Sequence, residues 1–217
     1  MQVELALHHI DKKESEIKEL IVTGSKYQPD YISVFPPLIK YCKRIVKDNT
    51  QLSCPIDFPC GNLETELRKK SIENAIKNGA KKIDLVISSL HLASRKYDKI
   101  KQDTSANLEI CKSHDIPMYC MLEYRVFNHQ TLAKTCEMLK EIGVEHFYAS
   151  TGWMIDNLTD NSIACMYLAQ KANVKTIING DVWRPDQVQS ISSNKTYGVR
   201  FKTIHSLELW HEHYQET

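Results

Sequence analysis

An aspartate stands inside an otherwise apolar run, Lys82-Ile83-Asp84-Leu85-Val86-Ile87. Burying a carboxylate in such a run is unfavourable unless it is paired or hydrogen-bonded. Asp84 is therefore expected either to meet an interior cation or to shuttle protons and position a substrate. Other short apolar runs also end in polar groups. They lead into His8 and His9; Asp57, before Pro59 and Cys60; Ser88, Ser89 and His91; Glu123-Tyr124-Arg125; Tyr148, then Ser150-Thr151-Gly152; Asn179-Gly180-Asp181; and Lys202, Thr203 and His205. The hydroxyls and N–H groups of Ser150-Thr151-Gly152 suit an anion or a carbonyl oxygen, although the same three residues also make an ordinary turn. A desolvated Lys202 beside another cation could attack a carbonyl, whereas strand-end lysines commonly reach out to solvent. A zinc site from His8, His9, His91, His205 and Asp57 is the weaker reading. Adjacent His8 and His9 point to opposite faces of a strand, and neither HxH nor HExxH occurs. The expectation is no metal and no cofactor.

These residues need elements to hold them. Eight β-rich runs are predicted: Val3–Leu7, Tyr31–Phe35, Leu52–Phe58, Lys82–Ile87, Met118–Glu123, His146–Ala149, Thr176–Ile178 and Gly198–Lys202. Amphipathic segments lie between them. In Glu64–Ala80 the positions Leu67, Ile72, Ala75, Ile76 and Ala80 form one stripe, and in Gln130–Ile142 so do Leu132, Cys136 and Leu139. Asn62 is expected to cap the first of these helices, and Asn78-Gly79 and Gly143 are placed to stop helices. Alternation of strand and helix implies parallel strands with right-handed crossovers. Eight units in 217 residues suggest an α/β fold of the (β/α)8 barrel type, a TIM barrel, as a single domain over 1–217. An open doubly wound sheet is the alternative, but no GxGxxG or GxxxxGK[ST] loop occurs. In a barrel, chemistry sits where strands end, which is where the polar groups above fall.

Composition sets outer bounds. With 28 basic and 27 acidic residues the net charge is +1, so neither nucleic acid nor an anionic membrane is an expected partner. The start, MQVELALHHIDKKE, does not read as a secretory signal, and no run is long and apolar enough for a membrane span. Seven scattered cysteines without a CxxC read as reduced thiols in a cytoplasmic protein.

Several segments together resemble the deoxyribose-phosphate aldolases. They are Asp57-Phe58-Pro59-Cys60-Gly61-Asn62 with Glu64-Thr65-Glu66; Asn78 to Ile87; Glu123; Ile142-Gly143-Val144 through Ala149-Ser150-Thr151-Gly152; and Asn179-Gly180-Asp181-Val182. The match runs over about residues 1–210 and implies a metal-free TIM barrel acting on a small-molecule carbonyl substrate. In that family a lysine on strand six forms a Schiff base, a lysine on strand seven lowers its pKa, and an aspartate on strand four shuttles protons. The resemblance assigns these positions to Tyr148, Ile177 and Asp84, so both lysines are missing. Asp181 replaces the second glycine after strand seven, and Lys202, Thr203, Ile204 and His205 replace the glycine and serines after strand eight. A carboxylate there would repel a phosphate.

The resulting expectation is a lyase-like enzyme acting on a non-phosphorylated carbonyl compound by aldol, retro-aldol, enolisation or cyclisation chemistry. Tyr148 would be the acid and Asp84, helped by Glu123 or Asp181, the base. Ser150, Thr151, Gly152, Asn179, Gly180, Asp181 and His205 would bind substrate. One alternative is an inactive homologue that binds a metabolite or a partner protein. Another keeps the Schiff base but moves it to Lys202. Pairing into a homodimer through helical faces is expected.

Overall fold

The computed structural model describes residues 1–46, 49–154, 157–192 and 196–214. Eight parallel strands close into a barrel in chain order: β1 (Gln2–Ala6), β2 (Tyr31–Ser33), β3 (Gln51–Ile56), β4 (Lys82–Val86), β5 (Met118–Met121), β6 (His146–Tyr148), β7 (Lys175–Asn179) and β8 (Gly198–Phe201). The barrel and the eight predicted runs agree. Seven runs were read too long at their C-terminal ends, three of them by two residues, toward Phe35, Phe58 and Glu123. There the chain leaves the ladder for the mouth, although single bonds such as Val34 N–H to Ser53 O at 3.1 Å extend past the strand ends.

The helices are α1 (Glu14–Gly24), α2 (Ile39–Cys42), α3 (Thr65–Asn78), α4 (Ser89–Ala93), α5 (Tyr97–Ser113), α6 (His129–Glu141), α7 (Leu158–Ala172), α8 (Pro185–Ser192) and α9 (Ile204–His213). Local chemistry sets their ends. Asn128 accepts from Thr131 N–H at the start of α6, and Asn157 accepts from Thr159 and Asp160 N–H at the start of α7. Gly79, at φ 118°, closes α3 in the left-handed region as its position predicts. Asn62 does not cap α3, whose N-cap is Glu64. Its Oδ1 instead accepts from Leu90 N–H and Ser88 Oγ, each at 3.0 Å, tying the β3–α3 loop to the start of α4. The reason is that the chain runs on past Asn62 before turning helical.

Strand alternation divides the interior. Ile83, Leu85 and Ile87 of the fourth strand region join the main core beneath the helices, with Ile32, Cys54, Cys120, Phe147 and Phe201. The opposite face points into the barrel. Val86, Tyr119, Met121, Tyr148 and Ile177 form an apolar layer there, closed on the mouth side by Phe58. Six of the seven cysteines are buried and only Cys60 is exposed. Among the described residues no helix is long and apolar enough to cross a membrane.

Candidate active site

Below the apolar layer the barrel is filled with charge. Glu4, Lys82, Asp84, Tyr148 and Arg200 are all fully buried. Lys82 Nζ meets Glu4 Oε1 at 2.5 Å and Asp84 Oδ1 at 3.3 Å. Arg200 bridges the two acids, with Nε 2.7 Å from Glu4 Oε2 and Nη2 2.5 Å from Asp84 Oδ2. The Tyr148 hydroxyl donates to Glu4 Oε2 at 2.8 Å. It accepts from Lys82 Nζ at 2.7 Å and from Arg200 Nη2 at 2.6 Å, and Asp84 Oδ1 lies 3.3 Å away. Lys82 also sits 4.4 Å from the ring centre of Tyr31 and 4.5 Å from that of Tyr119.

Two carboxylates thus face two cations. Burial alone would raise both carboxyl pKa values, but Arg200 and Lys82 outweigh it and hold Glu4 and Asp84 below their ordinary values. Burial lowers the Lys82 pKa despite the two acids, and it pushes the Tyr148 phenol well above its ordinary range. Asp84 therefore has the interior cation partners that its sequence setting allowed for.

Above the layer, at the C-terminal mouth, a cavity of about 180 Å³ is lined by Ala6, His8, His9, Phe58, Thr151, Gly152, Trp153, Asn179 and Lys202. The predicted residues Thr151, Gly152, Asn179 and Lys202 come together here. Glu123 supports them from behind, as its Oε2 accepts from Thr151 Oγ1 at 2.6 Å and from Thr151 N–H at 3.2 Å. Ser150 Oγ accepts from Gly152 N–H at 3.2 Å and from Asn161 Nδ2 at 3.0 Å. Gly152, at φ 73°, passes so close to Asn179 that a Cβ would lie 2.8 Å from its Nδ2. Asn179 donates from Nδ2 to Ser150 O at 3.2 Å, while its buried Oδ1 has no partner among the described residues.

The remaining predicted residues lie apart. Asp84 and Tyr148 belong to the sealed floor and do not line this cavity. Asp181 turns its Oδ1 back to the N–H groups of Lys202, at 2.8 Å, and Thr203, at 3.1 Å. Gly180 N–H is bonded to Arg200 O at 3.0 Å. His205 is exposed, its ring 5.9 Å from that of Trp183. No cluster of three or more His, Cys, Asp or Glu side chains among the described residues is arranged to hold a metal.

Three groups take roles that the residue reading did not give them. His8 lines the cavity, with Nε2 2.9 Å from Ser33 Oγ. Burial, reinforced by Arg200, pushes its pKa well below 6.5, so the imidazole is neutral. Phe58 and Trp153 form a wall, their centroids 5.7 Å apart and their planes at 87°. Glu4, Lys82 and Arg200 complete the floor. Their signal was present in the sequence, because each is a charged side chain at an inward position of an apolar strand, as Asp84 is.

No protein-family model matches the chain. Among curated proteins, deoxyribose-phosphate aldolase 1 of Staphylococcus aureus strain MSSA476 is 28% identical over 179 residues, covering 81% of this chain and 80% of that protein. Deoxyribose-phosphate aldolase 2 of the same strain matches to the same extent. Among solved structures, an aldolase designated QR15 superposes with a TM-score of 0.86 at 20% identity, over 94% of this chain and 92% of that one. The deoxyribose phosphate aldolase of Aeropyrum pernix, described as a tetramer, gives 0.81 at 16% identity over 96% and 88%. The chain is thus similar in sequence to deoxyribose-phosphate aldolases and shares the barrel fold of solved aldolases.

Proposed function

We propose that the protein is a carbon–carbon lyase acting on a small, non-phosphorylated carbonyl compound, with Lys202 as the amine that engages the carbonyl. One observation carries this reading. Lys202 lines the mouth cavity opposite Asn179 and His8, while the positions that resemble the family's two lysines hold Tyr148 and Ile177 within the closed interior. In the proposed step the Lys202 amine nitrogen attacks the carbonyl carbon, a C–N bond forms, and the oxygen leaves as water, giving an imine that is protonated on nitrogen. The neutral His8 imidazole takes a proton from the carbon adjacent to the protonated imine, whose nitrogen receives the electron pair to leave a neutral enamine that adds to a second carbonyl; the reverse sequence cleaves the bond. The unpaired Asn179 Oδ1 suits the hydroxyl of the carbinolamine or the N–H of the protonated imine.

Acid–base catalysis by Tyr148 and Asp84 is disfavoured on this reading, because the floor cluster satisfies both groups and gives neither access to the cavity. A non-catalytic binding role is the second reading, favoured by the salt-bridged plug at the family's amine positions. Borohydride reduction in the presence of acetaldehyde, followed by intact mass and peptide mapping, decides among the three. The expected result is one adduct on Lys202, absent from Lys202→Ala and retained in Tyr148→Phe and Asp84→Asn. No adduct on the wild type, or equal adduct on Lys202→Ala, would overturn the Lys202 reading; turnover without an adduct, lost in Tyr148→Phe and Asp84→Asn, would favour acid–base catalysis instead. Thermal stabilisation by carbonyl compounds without adduct or turnover would establish the binding protein instead.

A further inference from the structure

We infer that the mouth cavity selects compact carbonyl compounds with an apolar or aromatic tail, and that Phe58 and Trp153 read that tail. The inference rests on the Lys202 reading for the position of the carbonyl and on the wall geometry for the rest.

The cavity is small. Its 180 Å³ has room for about six water molecules at ~30 Å³ each, below the range of drug-sized pockets. Its two sides also differ in chemistry. Lys202, Thr151 and the unpaired Asn179 Oδ1 provide polar groups. The other side is built from rings around Phe58, whose centroid lies 5.2 Å from His8, 5.8 Å from Phe35 and 5.7 Å from Trp153. Under Phe58 lie Val86, Met121 and Ile177, which offer neither donor nor acceptor side chains. A hydroxylated tail placed against Phe58 and the aliphatic side chains beneath it would give up water and gain no partner from them, whereas a methylene or ring gains burial.

An anionic tail fares no better. The N–H groups at the end of β8, where barrels frequently hold phosphate, already donate to the Asp181 carboxylate. That carboxylate satisfies the donors and adds a negative charge beside them. A single methylene in an apolar pocket is worth about 10-fold or more in selection, so two or three carbons suffice for a marked preference.

The test is a competition. Butanal, benzaldehyde, glyceraldehyde and a phosphorylated glyceraldehyde are trapped with borohydride on the wild type and on Trp153→Ala, a substitution at a half-exposed side chain. The expected result is at least about tenfold more adduct with butanal and benzaldehyde than with either glyceraldehyde. In Trp153→Ala that ratio should fall several-fold. Equal trapping, or preference for the hydroxylated aldehydes, overturns the inference while leaving Lys202 as the amine. Saturation-transfer NMR with benzyl alcohol and glycerol, neither of which can form an imine, separates the two failures. If no aldehyde traps on Lys202, the Lys202 reading falls, but benzyl alcohol signal that weakens in Trp153→Ala still upholds the tail site. Absent signal, or signal unchanged in the variant, removes the tail site as well.

Discussion

Tyr148 donates one hydrogen bond and accepts two, and all three partners are charged. Removing its hydroxyl in Tyr148→Phe leaves Glu4 with Lys82 and Arg200 still in place. The expected loss is about 1–3 kcal/mol, the cost of withdrawing one partner from buried polar groups. Arg200→Met is a different case, because Glu4 and Asp84 would share the single remaining cation. Breaking a buried pair in this way costs about 3–5 kcal/mol. Urea unfolding checks both: Arg200→Met should lose clearly more than Tyr148→Phe, and similar or negligible losses would mean that the cluster does not stabilise the floor. At this scale the sequence was informative about which residues are unusual and uninformative about direction. Asp84 was recognisable from its apolar strand. Whether its partners lay above in a pocket or below in a sealed chamber depended on where Lys82 and Arg200 point, which residue type alone does not fix.

Among the elements, the loop between β3 and α3 does most to shape the mouth, because it carries Phe58. Arg68, buried, clamps this loop from behind. It donates to Asp103 and to Val86 O and approaches Asp57 at 3.6 Å. Asp57 in turn accepts from Leu63 N–H at 2.7 Å. Gly61 completes the loop at φ 68°, and a Cβ there would lie 2.6 Å from Val86 O. Both the left-handed backbone and the contact with a neighbouring strand exclude a side chain. Gly61→Ala is expected to cost at least about 1–2 kcal/mol and to lower borohydride trapping at Lys202 by moving Phe58. Unchanged stability together with unchanged trapping would show that the loop does not set the wall. Strand and helix positions were legible from periodicity and caps. The loop-to-loop bonds of Asn62 were not, since a cap and a tertiary bond draw on the same side chain.

At the scale of the whole molecule, the buried titratable groups act together on acid stability. Glu4 and Asp84 have lowered pKa values, so their contribution is complete above the ordinary carboxylate range and is lost as pH falls through the lowered values. His8 and His146 are also lowered, His146 to about 4, chiefly by burial. Each is kept neutral by folding, and its contribution is lost as pH falls below the ordinary 6.5. In both cases the unfolded chain binds more protons, so stability must fall on acidification. The melting temperature should drop steadily from pH 7 toward pH 4, by about 2–4 °C for each ~1 kcal/mol lost. A flat or rising melting temperature over that range would contradict the assignment. The closed barrel itself was legible from eight alternating units, because that architecture depends on pattern rather than on any one contact. The separation of a charged floor from the mouth cavity was not, as it depends on the height of each side chain along the barrel axis.

That separation bears on how the chain can change. With two carboxylates already matched by Lys82 and Arg200, an amine placed at position 148 would bring a third positive centre into a chamber closed to water. Tyr148→Lys alone is therefore expected to destabilise the floor, and becomes tolerable only when a neighbouring cation is neutralised as well. Charge pairing in the floor thus couples position 148 to Lys82 and Arg200, whereas side chains of the mouth can be exchanged one at a time.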